Sequence, residues 1–134
     1  MLISSCSFFI SGTIVDVANI NSASQVVLSG SIEGLSHVAK IAKEKRWGED
    51  GGAIAAKRCT ELNVSGAFHS RLMSPAMEEF SEALLSIAPS FGDLYVPLVA
   101  NVTGDLVDRK GLEEAMRAQM LAPVRCFTFT CLRV

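Results

Sequence analysis

Apolar and polar positions alternate over residues 13–20, "TIVDVANI", and again in "QVVLSG" from Gln25, with the polar link "NSAS" between them. Successive side chains of a strand point to opposite faces, so this pattern predicts two half-buried strands joined as a hairpin. The period then changes. Ser31 can accept from the free amides of a helix start, Glu33 falls in the first turn, and Leu35, Val38, Ala39 and Ala42 recur at helical spacing, which predicts a helix over 32–45. The stretch "KEKRWGEDGGAIAAKR" mixes both charge signs with three glycines and predicts a solvated loop. After it "CTELNV" alternates as a further strand running into Ser65 and Gly66, with Cys59 read as a small core residue. Strand, strand, helix, strand is part of a ferredoxin-like sandwich.

In the second half, Ser74 and Pro75 predict a helix start, and Met77, Phe80, Leu84 and Ile87 give it one buried face before Pro89 stops it. "LYVPLVANVTG" is nearly continuous apolar sequence, which predicts a strand buried on both faces, with Pro97 at an edge or a strand start. A last helix is predicted over 111–121, closed by Pro123. On it Leu112, Ala115, Met116 and Gln119 share one face, so an amide stands where core is expected. A buried amide needs partners, whether it serves structure or function.

With 134 residues, 49% of them hydrophobic and 19% charged, the chain has the size and composition of one globular domain. No apolar run approaches the ~20 residues of a membrane helix. Twelve basic against 14 acidic side chains, a formal net charge of -2, supply no basic stripe for a phosphate backbone, which sets nucleic acid aside. Cys6, Cys59, Cys126 and Cys131 form no C-x-x-C pair and share no short spacing with the two histidines, so no metal site is expected. Scattered cysteines without a secretory signal read as reduced thiols of an intracellular compartment. The opening "MLISSCSFFIS" has no basic residue before Lys40, which fits neither a secretory nor a transit peptide. It is either a strand or foreign to the domain, and the tail "CFTFTCLRV" stops in mid-strand.

The chemistry-bearing stretch is "NVSGAFHSRLMSPAMEEF", with His69 between the expected strand and helix. On residues alone the histidine is either structural or a base at the carboxyl end of a strand, where α/β folds place ligands, with Gly66 letting the backbone turn. "GAFHS" followed by "RLMSPA" resembles the histidine motif of malonyl-CoA:acyl-carrier-protein acyltransferases. "ANINSASQVVLSG", "VPLVANVTG" and "RAQMLAPVR" resemble further blocks of that family, in order, from about Val17 to Arg125.

The resemblance implies an acyl transfer through a seryl ester, from malonyl-CoA as substrate to the phosphopantetheine thiol of an acyl carrier protein, with no bound cofactor and no metal. It implies His69 as the general base and the backbone carbonyl at Gln119 as the group orienting it. Phe68 is either a core aromatic or, by resemblance, the ring that excludes a substrate's extra methyl. Arg71 is either solvated or faces a carboxylate of the substrate or of the carrier protein. The implied fold is α/β: an atypical segment over 1–12, part of a ferredoxin-like small subdomain over 13–65, part of an α/β hydrolase-like acyltransferase body over 66–125, and an atypical tail over 126–134.

The sequence departs from the family in one respect that matters for chemistry. Neither "VVLSGS" nor "NVSGA" has the glycine two residues before the serine that a nucleophile elbow needs, and no G-x-S-x-G occurs. The expected reading is therefore a fragment, inactive alone, whose serine lies outside this chain or comes from a partner chain. The alternative is a non-catalytic module that binds acyl carrier protein. The resemblance implies bacterial cytoplasm, plastid or mitochondrion.

Overall fold

Three antiparallel strands carry the first part of the chain, in the order β1 (Phe8–Ile10), β2 (Thr13–Ser22), β3 (Gln25–Gly30). The computed structural model describes residues 8–10, 12–43 and 58–126. Gly12 turns β1 into β2 at a φ of +80°, a conformation that glycine adopts without steric penalty. Phe8 to Ile10 are thus paired in the sheet. The β2–β3 hairpin is as the alternation predicts, with Asp16 opposite Ser29 and Val17 opposite Leu28.

Helix α1 (Ile32–Lys43) starts where Ser31 predicts: the Gly34 amide donates to Ser31 Oγ at 3.3 Å. Gly34, Val38 and Ala42 are its buried residues. A side chain at Gly34 would come within 2.6 Å of Val15 Cγ2, so the glycine lets helix and strand approach closely. Val15 is fully buried beneath it. Because neighbours in a strand face opposite ways, Asp16 points to the other side of the sheet.

That other side is covered by the second part of the chain. Residues Arg71–Ala76 form a 3-10 turn that runs into α2 (Met77–Ile87), a short 3-10 turn (Ala88–Ser90), a two-stranded ribbon of β4 (Leu98–Val99) and β5 (Leu106–Val107), and α3 (Arg109–Ala118). Beyond α3, Val124 lies along the edge of β2 not taken by β3. Its amide donates to the Ala18 carbonyl, and its own carbonyl accepts from the Ile20 amide, both at 2.8 Å.

Several expectations are corrected. Residues 59–64 are not a strand: they have no ladder partner among the described residues, Leu62 and Val64 are exposed on successive alternate positions, and Cys59 is exposed rather than core. The strand expected after α1 is therefore not formed at residues 59–64. The apolar run from Leu94 is not a buried strand either, for only Leu98–Val99 pair, with Leu106–Val107, and Tyr95 is 98% exposed. Continuous hydrophobicity alone did not supply a neighbouring strand on each side. Ile87 is half exposed although its spacing matches buried Leu84.

Two helix starts also moved. The cap of the 3-10 turn is Ser70, while Ser74 Oγ donates back to the Arg71 carbonyl at 2.7 Å. α3 begins earlier than residue 111, because the Asp108 side chain accepts from the Gly111 amide at 2.8 Å. The predicted loop over 43–58 and the tail over 127–134 fall essentially outside the described residues.

Candidate active site

His69 is held by bonds that bracket it in the chain. Ser70, fully buried, donates from Oγ to the Ala67 carbonyl at 2.6 Å and accepts the Leu72 amide at 3.3 Å. This closes the segment 67–72 on itself and drives His69 to a φ of 60°. Among the described residues His69 is the one non-glycine with positive φ, a conformation that costs an L-residue about 1–2 kcal/mol. Such strain persists where surrounding bonds over-determine it, and it concentrates at functional sites. The backbone bends at Ser65 and Gly66, as expected, and turns again at Phe68 and His69. Gly66 also leaves room for the Phe68 ring, whose Cε2 would lie 3.3 Å from a side chain there.

The ring of His69 reaches across to the end of α3, where Nδ1 lies 2.6 Å from the Gln119 main-chain oxygen. The last carbonyls of a helix lack intrahelical donors. In a continuing helix the amide of residue 123 would take the Gln119 carbonyl, but position 123 is proline and has no N–H. The carbonyl is thereby left for the imidazole. A carbonyl only accepts, so Nδ1 must carry the proton, and in the neutral ring Nε2 keeps its lone pair. Among the described residues Nε2 has no hydrogen-bond partner. An imidazole so oriented can take a proton from a hydroxyl or thiol brought to Nε2.

Gln119 is the C-cap of α3, and its side chain, the amide out of place on an apolar face, accepts from Asn101 Nδ2 at 3.3 Å. Asn101 also accepts the Arg125 amide on its carbonyl at 2.8 Å, which ties the β4–β5 turn to the chain beyond α3. His69 and Gln119 are therefore brought together.

Arg71 meets a carboxylate, but one of its own chain. Its Nε lies 3.1 Å from both oxygens of Asp16, its Nη2 2.9 Å from Oδ1, and its main-chain amide donates to Oδ2 at 2.9 Å. Hydrogen bonding to Asp16 raises the guanidinium's pKa further above its ordinary value, so it stays charged. The guanidinium side chain remains 38% exposed while it makes this pair. Phe68 is exposed beside the histidine rather than in the core.

Ser70 Oγ is committed to Ala67, and Ser29 is buried in β3 opposite Asp16. No group of three metal-ligating side chains occurs among the described residues, and none of their helices is long and apolar enough to cross a membrane. Asp16 and Asn101 were missed by the sequence reading, which took Pro123 only as the end of the last helix. Asp16 had a signal: a lone carboxylate in an apolar strand needs a buried partner.

No protein-family model matches the sequence. Individual relatives do. The malonyl CoA-acyl carrier protein transacylase of Bacillus subtilis is 37% identical over 115 residues, which are 85% of this chain and 33% of that protein. The mitochondrial enzyme of the same name from Schizosaccharomyces pombe is 34% identical over 123 residues, 85% of this chain and 36% of its own length. Among solved structures, FabD from Acinetobacter baumannii superposes with a TM-score of 0.69 at 35% identity, over 89% of this chain and 34% of that one. A malonyl-transacylase in complex with a type II PKS acyl-carrier protein superposes with a TM-score of 0.72 at 32% identity, over 87% and 34%. The chain spans about a third of the length of the relatives it matches. Over that third, its sequence and its mixed α/β structure match those of malonyl-CoA:acyl carrier protein transacylases.

Proposed function

We propose that this chain carries the general base of a malonyl-CoA:acyl carrier protein transacylase, with the nucleophilic serine supplied from outside residues 1–134. The observation that supports this reading is the 2.6 Å approach of His69 Nδ1 to the Gln119 carbonyl, which commits Nδ1 as donor and leaves Nε2 as the acceptor. In the first half-reaction the serine hydroxyl attacks the malonyl thioester carbonyl while His69 Nε2 takes its proton. The C–S bond then breaks, and the imidazolium returns the proton to the CoA thiolate, giving a malonyl-seryl ester and free CoA thiol. In the second half-reaction Nε2 takes the proton of the carrier protein's phosphopantetheine thiol, the thiolate attacks the ester, and the serine leaves with the proton restored. The Gln119 carbonyl, already bound to Nδ1–H, stabilises the ring in its charged form without any acidic third residue.

The ferredoxin-like and hydrolase-like division at residues 65 and 66 belongs to this reading, as does fatty acid synthesis as its setting. So does an intracellular location, in keeping with the S. pombe relative, whose name places it in the mitochondrion. No bound cofactor is required. Phe68, exposed next to the base, is in this reading the ring that narrows the acyl pocket. Removing it should raise the use of a branched malonyl thioester relative to malonyl by up to ~10-fold, within the range a methyl-sized contact discriminates.

A chimera tests the proposal: residues 13–125 replace the matching segment of the B. subtilis relative, which keeps its own remaining two thirds. Transfer of labelled malonyl from malonyl-CoA to acyl carrier protein is then measured. The expected result is transfer that His69→Ala lowers by at least ~10²-fold. Transfer unaffected by His69→Ala would overturn the reading. A folded chimera that binds carrier protein but transfers nothing would favour the non-catalytic module.

A further inference from the structure

We propose that Asp16 is a positioning residue for the His69 base, acting through Arg71; this rests on the reading of His69 as base. Asp16 lies in mid-strand on β2, with its side chain only 12% exposed, and it is 55 residues from Arg71 in sequence. One carboxylate accepts there from the Arg71 main-chain amide and from the guanidinium, at 2.9 to 3.1 Å. Bonds with a charged acceptor and a forked charged donor are the strongest and most directional that side chains make.

The amide contact is the informative one. Arg71 is the first residue of the 3-10 turn, so its N–H is among the groups that the turn cannot satisfy itself. Ser70 satisfies Leu72, and Asp16 satisfies Arg71, from a different element of the fold. The left-handed backbone of His69 is thus fixed on its carboxyl side by two consecutive anchors: the buried Ser70 bridge, which is local, and the Asp16 clamp, which refers the segment to the sheet. The sheet is also what Val124 pairs with, five residues after Gln119. Both ends of the His69–Gln119 contact are therefore measured from β2: His69 through Asp16 and Arg71, and Gln119 through Val124 with Ala18 and Ile20. Loss of the clamp releases one end while the other stays in place.

A simple structural tether would share these bonds, so the test must read the imidazole. Nitrogen-15 NMR of the chimera reports the tautomer of each ring; His69→Ala assigns the His69 signals, and His37 on α1 serves as the internal reference. Asp16→Asn keeps an acceptor for the Arg71 amide but loses the ion pair, while Asp16→Ala loses both. The expected result is a His69 signature of fixed Nδ1–H in the chimera that becomes averaged between tautomers in Asp16→Ala and partly so in Asp16→Asn, with His37 unchanged. In the chimera, Asp16→Asn should lower kcat by on the order of 10- to 100-fold at unchanged KM for malonyl-CoA, as expected for a displaced catalytic group, and Asp16→Glu should recover part of it. If Asp16→Ala fails to fold, Arg71→Lys supplies the same readouts, since it keeps the amide contact and loses the fork. A His69 signature and kcat that stay fixed in folded Asp16 and Arg71 variants would overturn the inference. A chimera indifferent to His69→Ala would instead sink the assignment of the base, while the NMR result still decides whether Asp16 positions that ring.

Discussion

The ring nitrogen Nδ1 of His69 and the main-chain oxygen of Gln119 stand 2.6 Å apart although fifty residues separate them in sequence. Since the acceptor is a carbonyl of the backbone, the identity of the side chain at 119 is not what holds the imidazole. What the Gln119 side chain contributes is its bond from Asn101 at 3.3 Å, in an exposed setting.

Gln119→Ala in the chimera is therefore expected to cost less than ~10-fold in malonyl transfer, the value of one modest hydrogen bond. His69→Ala in the same background is expected to cost at least ~10²-fold. Rates of the two variants measured side by side check this. Equal losses would mean that the amide itself takes part in catalysis.

The backbone of His69 yields a prediction about stability that is separate from its chemistry. At a φ of 60° a glycine is unstrained and an alanine is not. His69→Gly should therefore be more stable than His69→Ala by about 1 kcal/mol, less the extra unfolded-state entropy of glycine. Urea denaturation of both variants in the chimera checks the order. An alanine variant as stable as the glycine one would show that the segment relaxes out of the left-handed conformation once the ring is gone.

What was legible in the sequence divides by the physics that decides it. β2, β3 and α1 were readable because local alternation, helical spacing and the Ser31 cap all agree there, and their neighbours are close in sequence. The strands expected over 59–64 and from Leu94 were not, because a strand exists only when another chain segment pairs with it, and apolar composition cannot report that partner. His69 and Gln119 were located through the family resemblance and the oddity of an amide on an apolar helix face. Neither clue contained the left-handed turn, which the short-range bonds of the buried Ser70 close, or the role of Asp16, which arises from bonds made across 55 residues.

The misread strands leave a consequence for solution behaviour. Tyr95 is 98% exposed, Val96 70%, Leu106 66% and Val64 64%, and isolated soluble proteins rarely present so many large apolar side chains in neighbouring segments. The 134-residue chain alone is expected to self-associate at micromolar concentration and to bind a dye that reports exposed apolar surface. Light scattering after size exclusion, followed by a thermal melt, checks this. A monodisperse monomer with a sharp cooperative transition would show that the chain is a self-sufficient unit and would favour the carrier-binding module.

Pro123 gives the last prediction. It stands four residues after Gln119, where its missing N–H leaves the Gln119 carbonyl without a helical donor. Pro123→Ala restores that donor. A carbonyl can accept twice, so the new bond need not displace the imidazole outright, but it would draw the carbonyl toward the helix axis and away from the ring. Two effects oppose continuation of the helix: Val124 remains bonded to Ala18 and Ile20, and the unfolded chain gains freedom when proline is removed, worth about 0.4–1 kcal/mol. The expected outcome is a slightly lowered melting temperature, a His69 Nδ1–H resonance that shifts or broadens, and a several-fold loss of transfer in the chimera with KM for malonyl-CoA unchanged. If the resonance and the rate both stay as they were while only the melt moves, Pro123 merely ends the helix, and the Gln119 carbonyl is kept for the histidine by the pairing of Val124 with β2 alone.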